Sequence, residues 1–214
     1  FCTMKDTKNS KVRIRDGEAT KKKIIKTAEK LFSRKGFNGV SIRDLAKACN
    51  MSGPLILHHF GSKEGIYDAV RLDLIENYIP AFEDIENEGK DLFDFIEYIV
   101  RGTFEFHREN PIALRLMNWD RLDGNKKRWP KSEEFKRIFV ERIQKAIDNG
   151  EVKGNFSAKN YGLMIGGMIH LWWEERQDIL QRRLGDKYTK EEALKADEEY
   201  IQQILWFIKN SLKK

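Results

Sequence analysis

The chain has 214 residues, enough for one large domain or for a small domain joined to a larger one. Its 40 Lys and Arg outweigh 34 Asp and Glu, a net of +6, and the excess lies at one end: residues 1–70 hold 15 basic and 7 acidic side chains, residues 71–214 hold 25 and 27. That split fits a phosphate-seeking head on a neutral body, while two cysteines, Cys2 and Cys49, exclude a disulfide framework and fit a reducing cytoplasm.

Phe1, Cys2 and Thr3 precede Met4, which reads as the natural start, the three residues before it being left from cloning. No apolar core of signal-peptide length is found at this end. Residues 1–17 are polar and basic (Lys5, Lys8, Lys11, Arg13, Arg15) and read as a flexible arm. A first helix is expected from Glu18 to Lys35 on the stripe Ile24, Ile25, Ala28, Leu31 and Phe32, with Gly36 ending it. Lys21, Lys22 and Lys23 stand at its start, and Phe37 and Val40 should tuck into a three-helix core.

The stretch Ser41 to Lys63 reads as two short helices set at an angle by a tight turn, the second built to lie in the major groove of DNA. Ser41 and Asp44 form a capping pair, and Ile42, Leu45, Ala46 and Cys49 give an inward face. Asn50 suits the left-handed turn, Ser52 caps the second helix, and Pro54 sits in its first turn. Gly53 to Leu57 carry no charge, unusual for a solvated surface helix. Pro54, Leu55 and their neighbours suit thymine methyls and sugars, and His58 and His59 can donate to phosphates or base edges.

Residues 20–70 resemble the DNA-binding domain of the TetR (tetracycline-repressor-like) family. The matching features are an A-x-x-L-F helix ending in glycine (Ala28, Leu31, Phe32, Gly36) and Ser-x-x-Asp-Leu-Ala from Ser41 to Ala46. The pair His59-Phe60 and the run Ser62-Lys63-Glu64 follow. The resemblance implies an all-α chain of about nine helices, with a helix-turn-helix domain over 18–70 and a helical ligand-binding and dimerisation domain over 71–214. It implies base reading by Arg43, and the expected DNA contacts are Lys22, Arg43, Ser52, Pro54, Leu55, His58, His59 and Lys63. Lys63 also stands at a helix start, a natural phosphate site. Leu57 departs from the pattern, because the family usually has a tyrosine there whose hydroxyl binds a phosphate.

Helix four should run from Ser62 to about Tyr78, before Pro80, with a loop over Ile85 to Lys90. Asp91 to Asn110 is apolar over most of its circumference, so it should be covered on several sides; in similar proteins it is the helix against which ligand sits. Pro111 opens a helix through Leu122, and Asp123 to Pro130 is a loop by composition. Lys131 to Asn149 is amphipathic and closes at Gly150; a loop, Glu151 to Asn155, follows. The next helix begins near Ser157. Its apolar run, Tyr161 to Trp173, is too short to cross a bilayer and reads as buried. Gly162, Gly166 and Gly167 within it cost helix stability, which close approach of a second helix would offset. The last helix, about Thr189 to Leu212, carries Ile201, Leu205 and Ile208. Two such helices meeting their copies would form a four-helix dimer interface through these six residues. The homodimer implied by the resemblance would hold a palindromic operator.

The large side chains expected around a small apolar or aromatic effector are Phe104, His107, Trp119, Phe139, Met168 and Trp172, with His107 the best polar candidate; His170 fits the dimer interface equally well. No Gly-rich phosphate loop with a Lys, no Gly-x-Ser-x-Gly and no His pair at metal-ligand spacing is present. The expectation is therefore no enzyme, no metal and no cofactor. The expected function is a homodimeric repressor released from its operator by a small molecule. The alternatives are an architectural or protein-regulated DNA-binding factor without a small-molecule switch, and an interaction protein that has lost operator binding.

Overall fold

The computed structural model describes residues 6–76, 91–125, 127–152 and 157–212, with side chains from Gly17 onward. Among the described residues there are helices and no strands. In chain order these are α1 (Asp6–Lys35), α2 (Ile42–Cys49), α3 (Gly53–Phe60), α4 (Lys63–Glu76), α5 (Leu92–Glu109), α6 (Pro111–Leu122), α7 (Ser132–Asp148), α8 (Ala158–Leu184) and α9 (Lys190–Leu212). The expected loop Ile85 to Lys90, the residues Tyr78 and Pro80, the first five residues and much of the loop before Ser157 lie outside the described residues. Two compact units emerge. One holds α1–α4 together with α6 and the loop to Pro130; the other holds α5 and α7–α9.

In the first unit, α1 starts at Asp6 rather than Glu18 and so takes in residues expected in the flexible arm. No proline interrupts this run, and Lys and Arg are good helix formers. Further along, α1 buries Ile24, Ala28 and Phe32 and closes on Gly36, whose φ is +69° and whose N–H donates to the Phe32 carbonyl at 2.9 Å. Phe37 tucks its ring against Phe32 and Tyr67, with centroids 6.1 and 5.1 Å apart, and Val40 is buried. Ile66, Tyr67, Val70 and Leu74 of α4 complete the core. Burying each such aliphatic side chain contributes roughly 1.5–3 kcal/mol.

Helix α6 belongs to this unit, so Trp119 is packed in a different unit from the other expected effector-binding side chains. A Cβ on Gly36 would lie 2.7 Å from the Trp119 ring, so the missing methyl makes the seat for the indole. Arg115 Nε and Trp119 Nε1 both donate to the Ser33 carbonyl, at 3.1 and 3.2 Å, satisfying one of the orphan acceptors at the end of α1. Asp120 accepts from the Tyr67 hydroxyl (2.9 Å), Asn125 Nδ2 (2.7 Å) and Trp129 Nε1 (2.9 Å). Arg71, fully buried on α4, donates to the Lys127 carbonyl at 2.8 Å and lies 3.8 Å from Asp120. The loop that follows α6 is thus pinned by a polar cluster, although composition marks it only as a loop.

The second unit is built around α5. Asp91 caps it, one carboxylate oxygen accepting from the backbone N–H groups of Phe93 and Asp94 at 2.8 and 2.9 Å. Leu92, Phe95, Ile96, Ile99, Val100, Phe104, Phe106 and His107 are buried, as its broad apolar surface requires. On α7, Phe139, Ile143 and Ala146 face inward, and Gly150 beyond its end has φ +70°. Asp197 on α9 is buried but well partnered, accepting from Trp172 Nε1 at 3.0 Å and from Arg176 at 2.7 and 2.9 Å. Arg101 links α5 to α9 by two bonds to Glu198, 2.8 and 3.0 Å.

Three of the residues expected at a dimer interface pack against other parts of their own chain. Ile201 and Ile208 are only 4 % and 1 % exposed, because the stripe Ile201–Ile204–Ile208–Leu212 faces the core of its own unit. Gly162 answers a close approach, but by Phe139 of the same chain, whose ring lies 3.1 Å from where its Cβ would be. Gly166 and Gly167 are exposed, with nothing within 4 Å of a built Cβ, and Leu205 is partly buried. The apolar side chains left outward are Leu163, Met164 and Leu171 on α8 and Trp206 and Phe207 on α9.

Candidate functional site

The first candidate site is the surface formed by α2, α3 and the start of α4. Local chemistry fixes each end. The Ser41 hydroxyl accepts from the Asp44 N–H at 3.1 Å, and the Asp44 carboxylate accepts from the Ser41 N–H at 2.9 Å, a complete capping box. Hydrogen bonds from the Ser41 side chain and backbone hold the Asp44 carboxyl below its ordinary range. Asn50 closes α2 at φ 54°, ψ 50°, the left-handed conformation that its short polar side chain tolerates. Ser52 Oγ accepts from Leu55 N at 3.3 Å, so this hydroxyl caps α3, with Pro54 in the first turn.

Only Ile56 of α3 points fully inward. Pro54, Leu55, Leu57 and His58 are exposed and His59 half-buried, which leaves a nearly uncharged outer face. The rings of His58 and His59 sit 5.7 Å apart and inclined at 62°. Arg43 on α2 and Lys21, Lys22 and Lys23 on α1 are exposed. Lys63 is held: its ammonium donates to the Phe37 carbonyl at 3.1 Å and lies 4.1 Å from the Phe37 ring centroid. An ammonium has three donors, so this tether orients the group while leaving donors for an anion. All eight expected DNA-contact residues therefore fall in this one unit.

The second candidate site is an aromatic cluster in the other unit. Phe104 lies against Trp173 (5.7 Å between centroids) and Tyr200 (6.3 Å). Trp172 stacks on Tyr200 at 4.3 Å, and the Tyr200 hydroxyl donates to the Met168 carbonyl at 3.1 Å. His107 lies 5.9 Å from Trp173. Burial, and then the charge of His170, push its pKa from 6.5 down to about 4. The structure thus joins four of the expected effector residues, Phe104, His107, Met168 and Trp172, through two that the sequence reading did not select, Trp173 and Tyr200. Phe139 belongs to a separate ring group with Phe95 and Phe135. The signal for Trp173 is its spacing, four residues after the buried Ile169 on α8.

Among the described residues no helix is long and apolar enough to cross a membrane. Residues 24–70 match the model of bacterial regulatory proteins of the tetR family, and residues 94–197 match the tetracyclin repressor-like C-terminal domain. The HTH-type transcriptional regulator UidR of Escherichia coli is 29 % identical over 103 residues, 48 % of this chain, and the chain spans about half the length of that relative, 52 %. The HTH-type transcriptional repressor NicS of Pseudomonas putida is 23 % identical over 199 residues, covering 88 % of this chain and 93 % of its own. The solved structure of AibR in complex with isovaleryl coenzyme A and operator DNA superposes with a TM-score of 0.63 at 13 % identity, over 87 % of this chain and 96 % of that one. With one family model on the head and another on the body, the chain belongs to the TetR family of transcriptional regulators.

Proposed function

We propose that this chain is a homodimeric DNA-binding regulator of the cytoplasm, a repressor released from a palindromic operator by a small apolar or aromatic effector. The observation that carries the reading is α3, capped at both ends, nearly without charge on its outer face, and set in a head whose first 70 residues hold 15 basic against 7 acidic side chains. Such a helix offers apolar contact to base edges and methyls, while Lys22 and Lys63 hold phosphates and Arg43 reads a base. Dimerisation draws support from the outward Leu163, Met164 and Leu171 on α8 and Trp206 and Phe207 on α9. Paired with their copies, these helices would form a four-helix interface and set two recognition helices about one DNA turn apart. An effector bound in the second unit acts only through its differential affinity for the DNA-bound and free arrangements.

The test is binding of the purified protein to DNA from its own upstream region, against random DNA, across a salt series. The expected result is a preference of roughly several hundredfold or more that persists at physiological salt. Equal affinity for both DNAs, with a slope of roughly −0.9 per phosphate contact, would replace the repressor with an architectural or protein-regulated factor.

A further inference from the structure

Two polar atoms of the aromatic cluster, His107 Nδ1 and Trp173 Nε1, are buried and have no hydrogen-bond partner among the described residues. Native interiors rarely leave such groups unmade, since each forfeits its hydration without compensation. The neighbouring polar groups are already engaged. Trp172 Nε1 and the Arg176 guanidinium both bond to Asp197, and the Tyr200 hydroxyl bonds to the Met168 carbonyl. The two open atoms belong to different helices, α5 and α8, whose rings lie 5.9 Å apart between centroids and inclined at 45°. Two turns before Trp173, the exposed Gly166 has no atom within 4 Å of a built Cβ, so this stretch of α8 is open to the outside.

Resting on the effector reading above, we propose that His107 and Trp173 together bind the carbonyl oxygen of an uncharged, largely apolar ligand. One oxygen has two lone pairs and can accept from the indole N–H and from Nδ1–H of the imidazole, in the tautomer that carries its proton there. Rings of Phe104, Trp173 and Tyr200 cover the remainder of such a molecule. Charge is disfavoured on both signs. Arg176, 5.1 Å from the Trp173 ring, is neutralised by Asp197, and Asp197 is taken up by the same pair. His107 is neutral at physiological pH, with its pKa pushed down to about 4 by burial. The nearby His170 is paired with Glu174 at 2.9 Å, so a carboxylate placed there would meet only cations already matched by carboxylates, and burying it would be costly.

The full-length protein labelled with 15N-tryptophan tests this directly. Its five indole N–H signals are assigned by single Trp→Phe variants, and acetophenone and benzoate, a ketone and a carboxylate of similar size, are titrated in. The expected result is a saturable shift of the Trp173 indole signal with acetophenone, little with benzoate, and roughly tenfold weaker ketone binding in His107→Leu. If His107→Leu loses the dispersion of the other indole signals, His107→Phe, an aromatic side chain without a donor, is used in its place. The proposal is overturned if acetophenone causes no saturable shift up to its solubility limit, if benzoate shifts the signal equally, or if His107 variants bind the ketone unchanged. Operator affinity measured on the same samples separates the two readings. Ketone binding with unaltered operator affinity supports this site and removes the switch, whereas intact operator binding with a silent Trp173 signal removes the site and leaves the DNA-binding role.

Discussion

Helix α3 and residues 162–171 of α8 both turn uncharged surface outward, yet the two helices are made in opposite ways. In α3, eight residues are fixed locally: Ser52 caps one end, the Gly61 N–H returns to the Leu57 carbonyl at 2.7 Å at the other, and Ile56 alone anchors the middle. By contrast α8 has 27 residues, no side-chain hydrogen bond at its Ser157 cap and three glycines, and is held by the burial of Tyr161, Ile165, Ile169, Trp172 and Leu180. The first is a short surface whose shape is settled before anything binds. The second depends on what packs against it, and its free face, with Leu163 at 76 % exposure, has the character of a surface completed by another molecule.

Charge on the free face of α8 should give the largest effect. Leu163→Glu is expected to convert the dimer to monomer in light scattering and to weaken operator binding by more than about a hundredfold, because two linked heads bind far more tightly than one. A monomer with full operator affinity would detach α8 from the dimer reading. Next is Gly36→Ala, which places a methyl 2.7 Å from the Trp119 ring at a φ of +69°. The expected cost is about 2–4 kcal/mol, read as a lower midpoint in denaturant. An unchanged midpoint would mean that α6 does not need its seat on α1.

A comparable effect is expected from His107, but only in acid. Its pKa is lowered on folding from 6.5 to about 4, so the unfolded chain binds the extra proton between those values. This contribution is fully present above about pH 6.5 and is lost as pH falls toward 4. Replacing His107 by Phe should flatten stability over that window by on the order of 3 kcal/mol at most. The same slope in the variant would show that His107 is not the group responsible.

Leu57→Tyr sharpens the account of α3. Leu57 is 37 % exposed, so a phenol fits outward, and a new phosphate hydrogen bond should tighten DNA binding by about 1 kcal/mol without altering the salt slope. Lys63→Ala should instead reduce that slope by about one unit. The smallest effect is expected from Ser41→Ala, about 1 kcal/mol of stability from the lost cap, read in thermal unfolding.

What was legible in the sequence follows the same division. Capping chemistry acts over three or four residues, so Ser41 with Asp44, Asn50, Ser52, Gly36, Asp91 and Gly150 announce their helix ends directly. Which side of a long helix faces its own core is decided by partners far along the chain, and there the pattern misled. Ile201 and Ile208 look like interface residues until α5 and α8 are seen to cover that stripe. That the indole of Trp119 sits on the bare Cα of Gly36 and the Ser33 carbonyl has no signal in the spacing, because its partners lie more than eighty residues away. Gly162 signals close approach correctly, but spacing cannot say that the neighbour is Phe139 of the same chain. The aromatic cluster was half visible, since a buried His and paired Trp residues stand out, whereas the unsatisfied state of His107 Nδ1 and Trp173 Nε1 exists only once every other partner is known.

The double bond onto the Ser33 carbonyl has a consequence for synthesis. Arg115 and Trp119 are 82 and 86 residues downstream of Ser33, and Trp129, which completes the Asp120 cluster, comes later still. A nascent chain leaving the ribosome at roughly 5–20 residues per second would thus expose its first four helices for several seconds before the indole that caps them arrives. During that interval the seat around Gly36 and Tyr67 is open, and a chaperone or a premature stop would meet a head that is helical but not yet closed.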